Sequence, residues 1–244
     1  MDQLRFNEAC KKIIGIPRKR NSIGTIGEKT LHAVLKEYFE PYCESREVKI
    51  GGYVCDIVGE NGVMEIQTGD LGRLRKKLET LLEFCSVTVV YPMAAVKNLM
   101  WLNEETGELS KKRRSPRKMT VWDGIAELYR IKGLLNSERL RICLCLMEIN
   151  EIRLLNGWSQ DGKKGSSRFD RIPVRILEEI YISCSDDYKM LLTDAVPESF
   201  TSRDIAEAFN INIRTAQTAL NVMTYTHAVR RTGRKGNTIL YEKL

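Results

Sequence analysis

The sequence predicts an α/β protein: a mixed sheet flanked by helices, followed by a small C-terminal domain of short helices and a hairpin. Three observations carry this. Residues 46–69, REVKIGGYVCDIVGENGVMEIQTG, hold β-branched runs broken by Gly-Gly and Glu-Asn-Gly, the signature of three antiparallel strands. The run SVTVVYP at 86–92 is short, β-branched and uniformly apolar, which suits a strand buried on both faces beside a parallel neighbour. From Phe200 onward two short helical patterns are followed by a basic, glycine-containing hairpin.

The elements follow in order. In SIGTIGEKTLHAVLKEYF, Thr25 and Glu28 have capping-box spacing. Leu31, Val34, Leu35 and Tyr38 then recur at i, i+3, i+4 and i+7, which predicts an amphipathic helix stopped by Pro41. The three-strand meander comes next. DLGRLRKKLETLLEFC then puts Leu71, Leu74, Leu78, Leu81 and Cys85 on one helical stripe, the crossover to the parallel strand. Residues 97–114 read as a hairpin turning at Glu-Thr-Gly, 120–135 as helix, and 139–155 as strand. The stretch 156–172 is rich in Gly, Ser and charge and reads as a linker or long loop. The expected domains are therefore 1–155 and 173–244.

Composition narrows the function classes. With 244 residues, 43% of them hydrophobic and 29% charged, the chain has the balance of an ordinary globular protein. No apolar run is long enough to span a membrane, and the N-terminus lacks a signal-peptide core, so a cytoplasmic protein is expected. The seven cysteines have irregular spacing and read as reduced, buried thiols; Cys143 and Cys145 are expected on one strand face. His32 and His227 are the only histidines, which argues against zinc and against a Ser-His-Asp site. The net charge of +7 is concentrated in KKRRSPRK at 111–118, RRTGRK at 230–235 and RKR at 18–20. Three such clusters point to nucleic acid as partner. Homodimerisation is left open.

The hairpin carries an unusual pair, Asp56 and Glu65. If Val58 opposes Val63, Asp56 opposes Glu65; with a tighter Asn61-Gly62 loop, Asp56 opposes Gln67 and Glu65 lies diagonal to it. Either register puts Asp56, Glu65 and Gln67 on one face. Like charges so placed repel, and a divalent cation removes the penalty. Hard oxygen donors of this kind suit Mg²⁺, with Mn²⁺ as its substitute.

These residues resemble the active-site motif of the PD-(D/E)XK nuclease superfamily, the restriction-endonuclease-like proteins: Asp56, eight intervening residues, then Glu65-Ile66-Gln67. The order helix, three strands, helix, strand over residues 24–92 resembles that family's core. The resemblance implies that Asp56 and Glu65 bind Mg²⁺ and that Gln67 helps to position the attacking water. It further implies that Glu28 is the glutamate many members carry on their first helix, although the capping box explains Glu28 without catalysis. Two positions depart from the family: Gln67 stands where a lysine is usual, and Cys55 stands where a proline is usual. On the following helix, Arg73, Lys76 or Lys77 could contact phosphate, but a solvated helix face is the expected position for them.

In the C-terminal domain Thr201 is placed to cap one helix and Asn212 the next, with Ile213, Ala216, Leu220 and Met223 sharing a face of the second. Helix-turn-helix plus basic hairpin resembles the winged-helix family. That resemblance assigns base reading to Arg214, Gln217, Thr218 and Asn221, and backbone contacts to Arg231, Arg234 and Lys235 on the wing. The leading expectation is a Mg²⁺-dependent DNA endonuclease targeted by its winged helix. The alternatives are a non-enzymatic DNA-binding regulator on a degenerate nuclease fold, and a scaffold whose two domains both bind protein.

Overall fold

The computed structural model describes residues 1–14, 29–103, 105–158 and 164–244, with the side chains of 155–158, 164 and 165 excepted. Helix α1 (Gln3–Ile13), which the sequence pattern does not anticipate, starts at Asp2, whose side chain accepts from Arg5 N–H. Helix α2 (Thr30–Phe39) follows, and its stripe of Leu31, Val34, Leu35 and Tyr38 is buried as the periodicity requires. The Thr25/Glu28 capping box lies outside the described residues.

The meander is present as β1 (Arg46–Ile50), β2 (Tyr53–Gly59) and β3 (Gly62–Ile66), all antiparallel. The β2–β3 register is Ile57↔Met64, Val58↔Val63 and Gly59↔Gly62, the first of the two alternatives. Gly62 has φ +98°, and a Cβ there would lie 2.3 Å from the Ser86 carbonyl oxygen, so only glycine fits this turn. A 3₁₀ turn (Leu71–Leu74) runs into α3 (Arg75–Leu81). Strand β4 (Val87–Leu102) then pairs parallel to β3, as expected of a crossover.

Beyond this core come β5 (Arg113–Arg114), α4 (Val121–Glu127), β6 (Leu140–Trp158) and β7 (Lys164–Ile182). The seven-stranded mixed sheet runs β1-β2-β3-β4-β6-β7, with β5 on β4. The region 156–172, expected as a linker, is instead strand on both sides of residues 159–163, which lie outside the described residues. Gly and Ser mark breakers by composition, but the long pairing of β6 with β7, interrupted by register shifts, accommodates them. The first unit accordingly extends through Ile182 rather than residue 155.

A short helix α5 (Ser185–Lys189) leads to β8 (Ser199–Thr201), α6 (Ser202–Ala208), α7 (Ile213–Tyr225), β9 (Val229–Lys235) and β10 (Thr238–Lys243). The second sheet runs β8-β10-β9. Both expected caps form: Thr201 accepts from Arg203 N–H, and Asn212 from Thr215 N–H.

Two apolar clusters fill the two faces of the large sheet. Leu31, Val34, Leu35 and Tyr38 of α2 meet Val90, Cys143 and Cys145 on one face. Leu78 and Leu81 of α3 and Trp122 and Ile125 of α4 meet Val89 and Leu144 on the other. The second cluster continues without a break into Ala216, Leu220 and Met223 of α7. Among the described residues no helix is long and apolar enough to cross a membrane.

Candidate active site

The β2–β3 ladder ends at Ile57↔Met64, one position before Asp56 would meet Glu65. The same point disturbs β1, where Glu47 takes φ +54° and drops out of the pairing with Asp56. Where backbone bonds stop, side chains take over. Ile66 N–H donates to Asp56 Oδ2 (2.8 Å), and Asp56 N–H donates to Glu65 Oε1 (3.3 Å). The two acids are thus tied together at the parting of their strands.

Their further partners come from opposite sides of the sheet. Asp56 Oδ2 lies 3.2 Å from His32 Nε2 of α2. Glu65 Oε2 lies 2.5 Å from Lys77 Nζ of α3, which also donates to the Val54 carbonyl (2.7 Å). The expectation of one shared face therefore needs correction: strict alternation does not survive the end of the ladder, and the acids diverge toward α2 and α3. The expected solvated position of Lys77 is corrected too, since its side chain is only 13% exposed.

Electrostatics separates the acids. Burial would raise Asp56, but the His32 hydrogen bond and charge, Ile66 N–H and Lys36 outweigh it and hold its carboxyl below the usual range. Glu65 is 3% exposed. Burial is the largest influence on it, Asp56 adds to the rise, and Lys77 opposes; the net direction is up. Burial also pushes the neighbouring Cys55 thiol up to about 11.

Gln67 sits just past β3. Its backbone N–H donates to the Val90 carbonyl (2.9 Å) and its Nε2 to the Asp70 carbonyl (2.6 Å). The amide therefore anchors the turn into α3. Arg171 of β7 reaches the same turn through Nη2 to the Thr68 carbonyl (2.9 Å), while its buried Nε has no hydrogen-bond partner among the described residues. Glu28 lies outside the described residues.

The donor set fits Mg²⁺ by its chemistry: Asp56 and Glu65 offer hard oxygens. No group of three or more His, Cys, Asp or Glu among the described residues is arranged to hold a metal. The pair would hold the ion with water completing the shell, as Mg²⁺ prefers. Sequence reasoning missed His32 and Arg171 as members of this site and weighed Lys77 only as a phosphate contact, not as the partner of Glu65; Lys77 lies between Leu74 and Leu78 at the edge of the apolar stripe.

The residues assigned to DNA divide into two groups. Arg214 and Gln217 of α7 are exposed, as are Arg231, Arg234 and Lys235 on the β9–β10 hairpin. Among the described residues none of these five has a carboxylate within ion-pair distance; Arg230 alone pairs across the hairpin, with Glu242 (3.0 Å). The other two face the α/β unit. Asn221 Oδ1 accepts from Lys132 Nζ (3.1 Å), and Thr218, whose hydroxyl donates to the Arg214 carbonyl, lines a cleft with Arg75, Glu127 and Arg130.

Residues 29–183 match the family described as Domain of unknown function (DUF8091). An uncharacterized protein of Treponema pallidum (strain Nichols) is 30% identical over 232 residues, covering 91% of this chain and 88% of its own. No solved structure matches.

Proposed function

The chain belongs to the DUF8091 family, and for this member we propose a Mg²⁺-dependent DNA endonuclease of PD-(D/E)XK type, targeted by a C-terminal winged helix. The observation that carries the reading is the parting of β2 and β3 at two carboxylates, with a buried lysine against one of them. A sheet built only for stability gains nothing from buried acids at the end of a ladder.

Asp56 and Glu65 would hold the ion, which when bound supplies a Lewis acid for the scissile phosphate and a water of lowered pKa. Asp56 suits the role because its charged form is favoured without the ion. Lys77 takes over the positive charge that Gln67 cannot provide, placing an ammonium beside Glu65 where charge develops on the phosphate. Gln67 spends its Nε2 on the Asp70 carbonyl, which leaves its carbonyl oxygen to accept from water. Outside the catalytic centre, Arg214 and Gln217 would read base edges and the wing cations would contact phosphates.

A plasmid and a linear duplex incubated with Mg²⁺ or Mn²⁺ test the proposal, with Asp56→Ala as control. Metal-dependent cleavage by the wild type and none by the variant is the expected result. The regulator reading draws on one specific observation: both Glu65 oxygens are already engaged, by Lys77 and by Asp56 N–H. No cleavage in either metal, with retained gel-shift of DNA, would decide for the regulator.

A further inference from the structure

A second basic surface lies away from the wing. The edge where β5 joins β4 forms a groove of about 510 Å³ whose lining is led by Lys97, Arg113, Arg114 and Lys118, with Ser115 and Val96 among the rest. Ser115 N–H donates to the Lys97 carbonyl (2.8 Å) and Met119 N–H to the Ala94 carbonyl (3.0 Å), which ties the basic segment down on β4.

Two acids absorb the cations behind the groove. Glu151, 2% exposed, lies 2.7 Å from Arg153, 3.5 Å from Arg168 and 3.9 Å from Lys97. Glu148 lies 3.0 Å from Arg175 and 3.8 Å from Lys112. Arg113, Arg114 and Lys118 are exposed, and among the described residues they have no carboxylate within ion-pair distance. The surplus of positive charge is thus local and faces solvent. Lys97 records it: burial first, then the crowding of Arg153, Arg117 and Arg168, lower its pKa despite Glu151.

The charge is also continuous with the candidate active site. From Lys97 it passes around Glu151 to Arg168 and on to Arg171, whose guanidinium donates to the Thr68 carbonyl beside Gln67. Along β4, Lys97 is eight residues past Val89, the partner of Glu65. At roughly 3.3 Å per residue the separation is at most about 26 Å, close to eight steps of a duplex that rises about 3.4 Å per base pair.

We propose that this groove, with Arg168 and Arg171 as its continuation, is a second contact for the sugar-phosphate backbone of DNA and holds the flank of the duplex whose cleavage the carboxylates would perform. The proposal rests on the reading of DNA as substrate. The lining decides the kind of contact. It holds cations and no aromatic ring, so there is no platform for stacking bases, and its one side-chain acceptor, Ser115 Oγ, already accepts from Arg117 N–H (3.2 Å). The groove therefore contributes affinity and salt dependence without sequence preference.

The test is fluorescence anisotropy with a labelled duplex in EDTA, which removes cleavage from the measurement. Arg113→Ala/Arg114→Ala/Lys118→Ala is compared with the wild type across a salt series. Lys97 and Arg171 are left in place because they compensate buried charge. Every phosphate that the variant no longer neutralises should reduce the slope of log K against log[salt] by roughly 0.9, for a total of about 2 to 3. Affinity near 0.1 M salt should fall by roughly tenfold for every such phosphate. Thermal melting checks that the variant is folded. The single variant Arg114→Gln, expected to reduce the slope by about 0.9, guards against a misfolded triple variant.

An unchanged slope, or a wild type that binds no DNA, overturns the proposal. If polyglutamate binds the wild type as tightly as DNA and suffers the same loss in the variant, the groove is a surface for an acidic protein and the assignment to DNA falls. A groove-dependent slope in a protein that cleaves nothing in Mg²⁺ or Mn²⁺ would uphold the groove and remove only the nuclease reading.

Discussion

Replacing Lys77 by methionine should destabilise the protein, and more so at high pH than at low pH. Glu65 is 3% exposed, and Lys77 Nζ lies 2.5 Å from it. The variant leaves Glu65 with the Asp56 N–H and the Cys55 thiol as its remaining described hydrogen-bond donors, and with the Asp56 charge close by. Removing one partner of a buried ion pair costs about 3–5 kcal/mol because the other charge stays buried. Glu65 can escape that cost by taking a proton. Burial already raises its pKa and Lys77 restrains the rise, so loss of Lys77 raises it further. A carboxyl whose pKa is raised in the folded state binds its proton more tightly there than in the unfolded chain. The penalty is therefore absent below the unfolded value of 4.5 and complete above the folded one. Each further unit of rise widens the gap by about 1.4 kcal/mol. Urea unfolding at about pH 4 and about pH 8 reads the difference between wild type and variant through the midpoint. Adding Glu65→Leu should recover most of the loss, since a buried pair replaced by apolar groups is often near neutral. Equal losses at the two pH values would show that Lys77 contributes packing alone and would refute the reasoning.

Asp56→Ala should abolish metal-dependent cleavage while leaving DNA affinity within a few fold, measured by product formation and by anisotropy. Gln67→Lys should keep or gain cleavage, because an ammonium can still donate to the Asp70 carbonyl, whereas Gln67→Leu should lose it; unchanged activity in Gln67→Leu would reduce Gln67 to packing. Arg214→Ala should cost about 1–3 kcal/mol at a preferred DNA site and much less on random DNA. Asn221→Ala should instead cost about 0.5–1.5 kcal/mol of stability, from the missing Lys132 hydrogen bond, with little change in DNA affinity. Trp122→Ala, which removes a fully buried ring packed against Phe209, should cost about 3–5 kcal/mol and expose the C-terminal elements to limited proteolysis before the rest of the chain unfolds.

Local signals are legible wherever a single period or a single turn decides the structure. The α2 stripe, the three-strand meander, the parallel crossover to β4 and the caps at Thr201 and Asn212 are of this kind, whereas the sequence leaves two β2–β3 registers open and the structure selects Val58↔Val63. The site is legible only as far as its strand residues. Asp56 and Glu65 announce themselves as charges in apolar runs, but His32 and Lys77 become members only when α2 and α3 dock on opposite faces of the sheet. No spacing in the chain encodes that. The shared face fails for a related reason, because alternation holds only as long as the ladder does. Residues 156–172 mislead because composition marks breakers without registering a partner strand, and β6 and β7 pair from Ile142↔Ile182 to Trp158↔Lys164. Helix α1 leaves little trace because only Phe6 and Ala9 of its 11 residues are buried, too few to set a period.

The docking of α7 bears on how the two halves would work together. A recognition helix on a flexible tether could search for its site independently of the carboxylates. Here Ala216, Leu220 and Met223 belong to the same apolar cluster as Val89 and Leu144 of the large sheet, and Trp122 of α4 meets Phe209 at 4.6 Å. Lys132 adds a hydrogen bond to Asn221 and lies over the Tyr225 ring. Such an interface fixes one orientation of Arg214 and Gln217 relative to Asp56 and Glu65. On the proposed reading it would also take Asn221 away from bases, since its Oδ1 is engaged by Lys132, and narrow direct readout to the first turns of α7. Few reading residues imply modest sequence preference. Affinity would then come from backbone contacts, and the exposed cations of the β9–β10 hairpin and of the β4–β5 groove, which have no ion-pair partner among the described residues, are the groups that would make them.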